Sequence, residues 1–400
     1  MQRSRNRIYL IPIILSFLFV LLFPVGVVEQ KSKAENREYN LKIHYIDVGQ
    51  GDCSFIELPD GKTMLIDAGQ EDQGKHVVKY IKKLGYSKID YVVATHADSD
   101  HVGGLAKVIE SFEVEVVYRP FTLSNCVTVK DFKDELLELF QADETINSTA
   151  SSEAYAKFLK SAYNETCGNK LCEIRICSDK EVVISNDAEN PYMIKFFMPY
   201  GKNQFVTNRI VNGYTVEKTA EENDLSAVIE IIAGQHKYLF TGDMTSSAEN
   251  ILIENLSSSE REMISNVSVL KVAHHGSSSS TSSKFLDLVR PVNAIIMVGK
   301  DNEYKLPADS VISRLENVAA TIYRTDKLGS VIVEEKEGIL IFNTIATRTI
   351  YEKYSWLLYT ALIVTTIVII FVIALYPKWQ KKKMFKKDSK KSLNQSVDKK

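Results

Sequence analysis

Three apolar runs in this chain end in residues that bind metal ions or move protons, and no other feature constrains the fold as much. Residues 91–95 run into His96-Ala97-Asp98-Ser99-Asp100-His101, residues 239–241 into Gly242-Asp243, and residues 270–273 into His274-His275-Gly276-Ser277. A loop on a rigid strand end is a good place for a functional group. Histidine together with carboxylate suits a first-row divalent metal. Each stretch alone also has a plain structural reading: a polar surface turn, a helix-capping Asp, a structural His pair. Three strand ends that all deliver His or Asp make coincidence a poor account. Adjacent histidines on an extended chain point to opposite sides. One of His274 and His275 is therefore expected to bind and the other to support it or face substrate, unless the backbone turns there.

The surrounding periodicity sets the architecture. Strands are expected at 41–48, 53–58, 63–66, 91–95 and 114–118, with turn signals at Gly49-Gln50-Gly51-Asp52 and Pro59-Asp60-Gly61. Helices are expected at 75–84, closed by Gly85, and at 105–112. The rhythm resumes with a strand at 193–198 and a hairpin (225–232 and 238–241) around Ala233-Gly234-Gln235. Helices at 248–256, 283–289 and 308–316 then alternate with strands at 267–273, 293–298, 319–323, 330–334 and 339–343. Meander, βα units, then meander and βα units again: this order predicts an α/β (α+β) sandwich of two mixed sheets with helices outside. Residues 120–180 break the pattern and read as an insertion, with helices at 131–139 and 153–162.

Charge is uneven. The formal net charge of -2 hides +3 in residues 1–7 and +8 in residues 377–400, leaving -13 for residues 8–376. An acidic middle argues against broad nonspecific nucleic-acid binding, which relies on Lys and Arg neutralising phosphates. It leaves room for a metal-mediated phosphate site. Residues 8–28 and 356–376 are each 21 residues without a charge, long enough to span a bilayer. Arg3, Arg5 and Arg7 precede the first, which reads as a signal anchor or a cleaved signal peptide behind a short cytoplasmic N-terminus at 1–7. Trp356, Tyr359 and Tyr376 flank the second, and the lysines of 377–400 follow it as a basic cytoplasmic tail. A domain at 38–345 is thereby expected outside the cytoplasm, at a cell membrane, with lipid contacted through the two terminal segments. Of five cysteines, Cys126, Cys167, Cys172 and Cys177 fall in the insertion, and on an exported chain they are candidates for two disulfides. Cys53 reads as a buried small hydrophobe.

The motifs together resemble the metallo-β-lactamase fold: His96-x-Asp98-x-Asp100-His101, Thr241-Gly242-Asp243 and His274-His275-Gly276. The opening Tyr45-Ile46-Asp47-Val48-Gly49-Gln50-Gly51-Asp52, with Leu65-Ile66-Asp67-Ala68-Gly69, is similar to the C-terminal metallo-β-lactamase-like domain of ComEC-type competence proteins. Asn223-x-x-Ser226 and Thr325-Asp326-x-x-Gly329 fit the same branch. The resemblance covers about residues 41–345 apart from the insertion. It implies an αββα sandwich with one or two divalent ions, Zn or Mn, at the rim between the sheets. His96 and Asp98 would serve the first site. Asp100 and His101, with one of His274 and His275, would serve the second, and Asp243 would bridge the two. Asp100 and Asp243 would be the catalytic carboxylates beside an activated water.

Two departures from the family matter. Most of the superfamily has His where Asp98 stands, and a further first-site His before the bridging Asp. Between 101 and 243 this chain has only His236, in the hairpin turn. An oxygen ligand such as Asn223 or Asp224 is the candidate replacement, and more oxygen ligands favour Mn over Zn. Lys305-Leu306 precede Pro307 where relatives carry Gly-His, so Lys305 is a further candidate site residue. The resulting expectation is a membrane-anchored, extracytoplasmic, metal-dependent hydrolase acting on a small-molecule or nucleic-acid phosphodiester. The alternatives are a lactone, lactam or thioester hydrolase, and a metal-poor cell-surface binding module that uses the Cys-containing insertion as its contact.

Overall fold

The computed structural model describes residues 41–120, 153–167, 170–185, 187, 189–200, 222–345 and 355–397. The apolar segment 8–28 and the expected helix 131–139 lie outside them.

The first half supplies strands β1 (Lys42–Tyr45), β2 (Ser54–Glu57), β3 (Thr63–Ile66), β4 (Lys88–Val93) and β5 (Glu113–Arg119). Helix α1 (Gly74–Leu84) crosses from β3 to β4; α2 (Ser99–Val102) and α3 (Leu105–Ile109) cross from β4 to β5. Gly85 closes α1 at φ 94°, as its position past the last apolar residue predicts. The middle holds α4 (Glu153–Asn164), the small pair β6 (Thr166–Cys167) and β7 (Lys170–Leu171), then β8 (Glu173–Ile176), β9 (Val182–Ile184) and β10 (Tyr192–Met198). The hairpin β11 (Val228–Ala233) and β12 (His236–Phe240) follows. After it come α5 (Ser246–Asn255), α6 (Ser258–Met263), β13 (Val269–Lys271), α7 (Ser283–Val289), β14 (Asn293–Ile296) and α8 (Asp309–Asn317). The domain ends with β15 (Thr321–Arg324), α9 (Thr325–Leu328), β16 (Ser330–Lys336) and β17 (Ile339–Ile345).

Two mixed sheets result. One has the order β17-β16-β1-β2-β3-β4-β5-β8, the other β15-β14-β13-β12-β11-β10-β9. Strands β3, β4, β5 and β8 are mutually parallel, as are β12, β13, β14 and β15. The period of two along each strand sorts the second sheet's residues between two cores. Ile229, Ile231, Tyr238, Phe240, Val269 and Ile295 join the core shared with the first sheet. Val228, Leu239, Leu270, Ala294 and Ile296 pack with Leu252, Phe285, Leu286, Val311 and Leu315 of the helices. Rings from the two sheets meet directly: Tyr45 and Phe240 at 6.0 Å, Tyr118 and Phe196 at 5.0 Å between centroids. The expected two-sheet sandwich with outer helices is what the sequence forms. Its parallel strands end at one rim, where open α/β sheets carry their sites.

The expected insertion is only partly set apart. Helix α4 buries Tyr155, Phe158, Leu159 and Ala162 in the main core, beside α2 and α3. Strand β8 extends the first sheet, Val116 opposite Glu173 through Arg119 opposite Ile176. The alternating Glu173 and Arg175 mask this strand in the sequence. The expectation of two disulfides is also corrected. Cys177 is a fully buried thiol at the end of β8, 3.6 Å from the Ala94 carbonyl oxygen, and burial raises its pKa. Cys53 is buried, as a small core hydrophobe should be.

Beyond the sandwich, α10 (Ser355–Val397) contains the uncharged stretch read from the sequence. Within it Tyr359–Trp379 has a mean hydropathy of 2.5 and is long and apolar enough to cross a membrane.

Candidate metal centre

Asp67, directly after β3, organises the first wall of the site. Its backbone has φ 57°, a left-handed conformation that Asp tolerates better than most residues. That turn aims a fully buried carboxylate at the end of β4. It accepts from the Thr95 backbone N–H at 2.8 Å, from Thr95 Oγ1 at 2.7 Å and from His101 Nδ1 at 2.8 Å. Thr95 Oγ1, having given its own proton to Asp67, accepts from His96 Nδ1 at 3.1 Å. One carboxylate thus fixes the tautomer of two histidines, and each turns its Nε2 lone pair outward. His96 and His101 are fully buried, with ring centroids 4.1 Å apart.

The second wall comes from the other sheet. Ser226 Oγ accepts from the Asp243 N–H at 3.0 Å and so holds the turn that follows β12. His274 and His275 both adopt φ 52°, so the backbone turns at the pair instead of running extended. Both rings then reach the same carboxylate: His275 Nε2 lies 3.4 Å and His274 Nε2 3.8 Å from Asp243 Oδ2. The backbone turn that the sequence reading named as the exception to an opposed pair is made by these two left-handed residues. Gly276 continues the turn at φ 81°, where a Cβ would press on Pro307. His275 donates from Nδ1 to the Met297 carbonyl at 2.9 Å, leaving Nε2 to face Asp100 Oδ2 at 3.2 Å.

The meeting point is electrostatically unusual. His101 Nε2 lies 3.2 Å from Asp243 Oδ1, and both atoms are buried without a hydrogen bond. With the proton held on Nδ1, two lone pairs face each other and require positive charge between or upon them. The ion-free protein supplies it with protons. Despite burial, which opposes protonation, Asp243, Asp67 and Asp52 hold the His101 pKa well above its usual value. Against the same burial, Asp243, Asp100 and Asp52 push His275 up to about 10. Burial raises the carboxyl of Asp243, but His275 and His101 outweigh it and hold that group well below the carboxylate range. Asp100 is depressed for the same reasons, by His275 and His101. Divalent ions held by these residues would supply the same positive charge in place of the protons. Asp52, His101, Asp243 and His275, all buried, place ligand-type atoms within 4.8 Å of one another. This donor set, nitrogen and carboxylate oxygen, fits a divalent ion.

The remaining sequence candidates fall as follows. Asp98 stands at the mouth, about half exposed, with Oδ2 3.7 Å from His96 Nε2. Asp100 and His101 lie on the one-turn helix α2, where the sequence suggested only a loop. Asn223 Oδ1 is buried without a hydrogen bond, and no ion pair or hydrogen bond ties it to His96 or Asp98. Asp224 is engaged by Thr245 Oγ1 at the start of α5. His236 is structural, bonding Ser268 Oγ and the Gly338 carbonyl. Lys305 is exposed at φ 57° on the loop before Pro307 and lies outside the ligand cluster. Sequence reasoning named no role for Asp67, Asp52 or Lys271. Asp52 Oδ1 is 3.3 Å from His275 Nδ1, and Oδ2 is 3.8 Å from His101 Nδ1 and in contact with the Lys271 ammonium. The available signals were an acid after a glycine turn and a lysine inside an apolar strand.

Residues 46–132 match the family model described as the metallo-beta-lactamase superfamily. The chain is 24% identical over 331 residues to ComE operon protein 3 of Bacillus subtilis, covering 78% of this chain and 35% of that protein. It is 24% identical over 321 residues to Recombination protein 2 of Haemophilus influenzae, covering 79% and 31%. A 113-residue stretch is 33% identical to competence protein ComA of Neisseria gonorrhoeae, covering 28% and 16%. The chain thus spans about a third or less of the length of these relatives. Among solved structures it is similar to the metallo-beta-lactamase fold protein YhfI of Bacillus subtilis, with 11% identity, a TM-score of 0.39, and 76% of this chain and 100% of that one covered. It is also similar to Zn(2+)-bound PqqB of Methylobacterium extorquens, with 8% identity, a TM-score of 0.39, and 71% and 97% covered.

Proposed function

We propose that this chain, which carries a mixed α/β metallo-β-lactamase fold and is similar to ComEC-type competence proteins, is a metal-dependent hydrolase of phosphodiesters, nucleic acid among them. The observation that carries the reading is the convergence of lone pairs at the rim. His101 Nε2 faces Asp243 Oδ1 and His275 Nε2 faces Asp243 Oδ2, with both Nδ1 atoms already committed behind them.

Asp100, His101, His275 and Asp243 would hold one ion. His96, Asp98 and Asp243 would face a second, and His274 is the nitrogen within reach of it through Asp243. This assigns one histidine of the pair to each side and fills the place left by the missing first-site His. Such an ion supplies Lewis acidity and brings the pKa of water toward neutrality. The protein's own part is orientation. Asp67 and the Met297 carbonyl lock the imidazoles, and His275 and His101 keep Asp243 and Asp100 charged against their burial. Asp100, whose side chain keeps 23% of its exposure, would take the proton of an attacking water.

We propose further that α10 anchors the chain in a membrane, with the sandwich outside the cytoplasm and the lysines of 377–400 inside. The apolar length and the charge step behind it support this topology.

The test is elemental mass spectrometry on the purified full chain, followed by a metal screen with a generic phosphodiester. One or two equivalents of Mn or Zn, with turnover abolished in Asp243→Ala, is the expected result. No ion uptake on reconstitution would overturn the hydrolase reading and leave a binding module. Protease protection of the tail in sealed vesicles checks the topology.

A further inference from the structure

Lys271 is out of place on an apolar strand. It ends β13, its neighbours Val269 and Leu270 are core residues, and its side chain is 2% exposed. Yet its ammonium lies within the cluster that the proposed function assigns to divalent cations. It contacts Asp52, hydrogen-bonds the Gly242 carbonyl at 3.0 Å and stands 3.8 Å from Asp243 Oδ1. Asp52 comes from the opposite sheet. Its backbone N–H donates to the Asp100 carbonyl at 3.1 Å, and its carboxylate lies against the Nδ1 sides of His275 and His101. The Lys271–Asp52 pair therefore crosses from sheet to sheet directly behind the ligand atoms.

Five carboxylates surround this rim: Asp52, Asp67, Asp98, Asp100 and Asp243. Among the described residues in contact with them there, Lys271 is the cation that is not a histidine. A fixed charge in a buried site acts on an incoming dication far more strongly than a surface charge would.

We infer that Lys271 is the built-in counter-cation of the centre. It is a positioning residue that holds Asp52 beneath the two histidines and draws on Asp243, and so sets how tightly the rim binds divalent ions. It lowers that affinity while keeping the ion-free site intact, because the carboxylates are partly compensated before any ion arrives. A residue that only filled space would have no such signed effect. The inference rests on the metal-centre reading above.

The experiment is a charge cycle read as Mn²⁺ affinity by titration calorimetry on the metal-stripped full chain, with a thermal melt for each protein. Lys271→Met should bind Mn²⁺ at least about tenfold tighter, since a unit charge a few ångströms from a dication is worth more than that factor even at an effective dielectric near 20. Its ion-free form should melt lower, because Asp52 is stranded. Asp52→Asn should bind more weakly than wild type. The double variant D52N/K271M should bind more tightly than D52N and return toward wild type. If K271M does not fold, the comparison of D52N with the double variant carries the same test. Wild-type protein that takes up no ion would remove the metal centre and this inference with it. Wild-type uptake combined with equal or weaker binding on loss of Lys271 would leave the centre standing and overturn the role of Lys271.

Discussion

Asp67→Asn isolates one carboxylate's control over two histidines. Asn accepts the left-handed φ of 57° as readily as Asp does, and it preserves shape in a fully buried place. What changes is one oxygen. If the amide carbonyl keeps the Thr95 N–H, an NH₂ group faces Thr95 Oγ1 and His101 Nδ1, where an acceptor stood at 2.7 and 2.8 Å. His101 must then move its proton to Nε2, the atom 3.2 Å from Asp243 Oδ1. Thr95 Oγ1 accepts from the amide and donates to His96 Nδ1, which sends that ring's proton to Nε2 as well. One charge-assisted hydrogen bond of about 1.5–3 kcal/mol is lost. Loss of such an outer partner typically weakens metal affinity by about 10–100-fold, or roughly 1.4–2.7 kcal/mol, so the two routes agree in size. Titration calorimetry of Mn²⁺ and Zn²⁺ into the metal-stripped full chain, with circular dichroism to verify the fold, measures it. A folded D67N chain that binds within about twofold of wild type would refute the tautomer argument.

Other outcomes follow from the same packing. In the ion-free chain His275 is held up to about 10 and His101 well above its usual value. The stability they contribute is fully present below the unfolded pKa near 6.5 and is lost as pH rises toward 10. A melt series should show the stripped protein losing Tm between pH 7 and 9.5, and divalent-ion uptake at neutral pH should release protons. Gly51 has φ 136° and packs directly against the Asp100 carbonyl, so Gly51→Ala should displace Asp100, cost roughly 1–3 kcal/mol in strain alone, and weaken ion binding in the same titration. Glu230 on β11 is buried with neither carboxylate oxygen hydrogen-bonded, and that burial raises its pKa to about 8. Its penalty grows as pH rises from about 4.5 through 8. Glu230→Gln should therefore melt higher than wild type at pH 8.5, by about 1 kcal/mol or more, with the margin closing near pH 5. An unchanged pH profile would remove Glu230 as a source of the pH dependence.

Much of this candidate site is legible in the sequence. His96, Asp100, His101, Asp243 and His275 follow apolar runs, and a strand's end is a local property that alternation and turn residues report. The sequence also placed α7 at its two ends and the C-cap of α1 at Gly85. Less visible was β8, since a short strand beside a sheet edge alternates charged and apolar residues much as a solvated loop does. Helix α2 spans one turn, too little for a period of 3.6 to register.

What the sequence determined by itself, then, was the set of elements and the chemistry at their ends, because both arise from neighbours along the chain. Tertiary structure alone decided which ends meet. Asp67 follows β3, Thr95 follows β4 and Lys271 closes β13, and nothing local to any of them reports the other two. It also decided that His274 and His275 share a target, since two consecutive left-handed residues are held by the turn onto Gly276 and Pro307. Local pattern records how each segment buries its apolar face. The charge balance of a buried rim is a sum over segments up to about two hundred residues apart, and only the packed sheets bring its terms together.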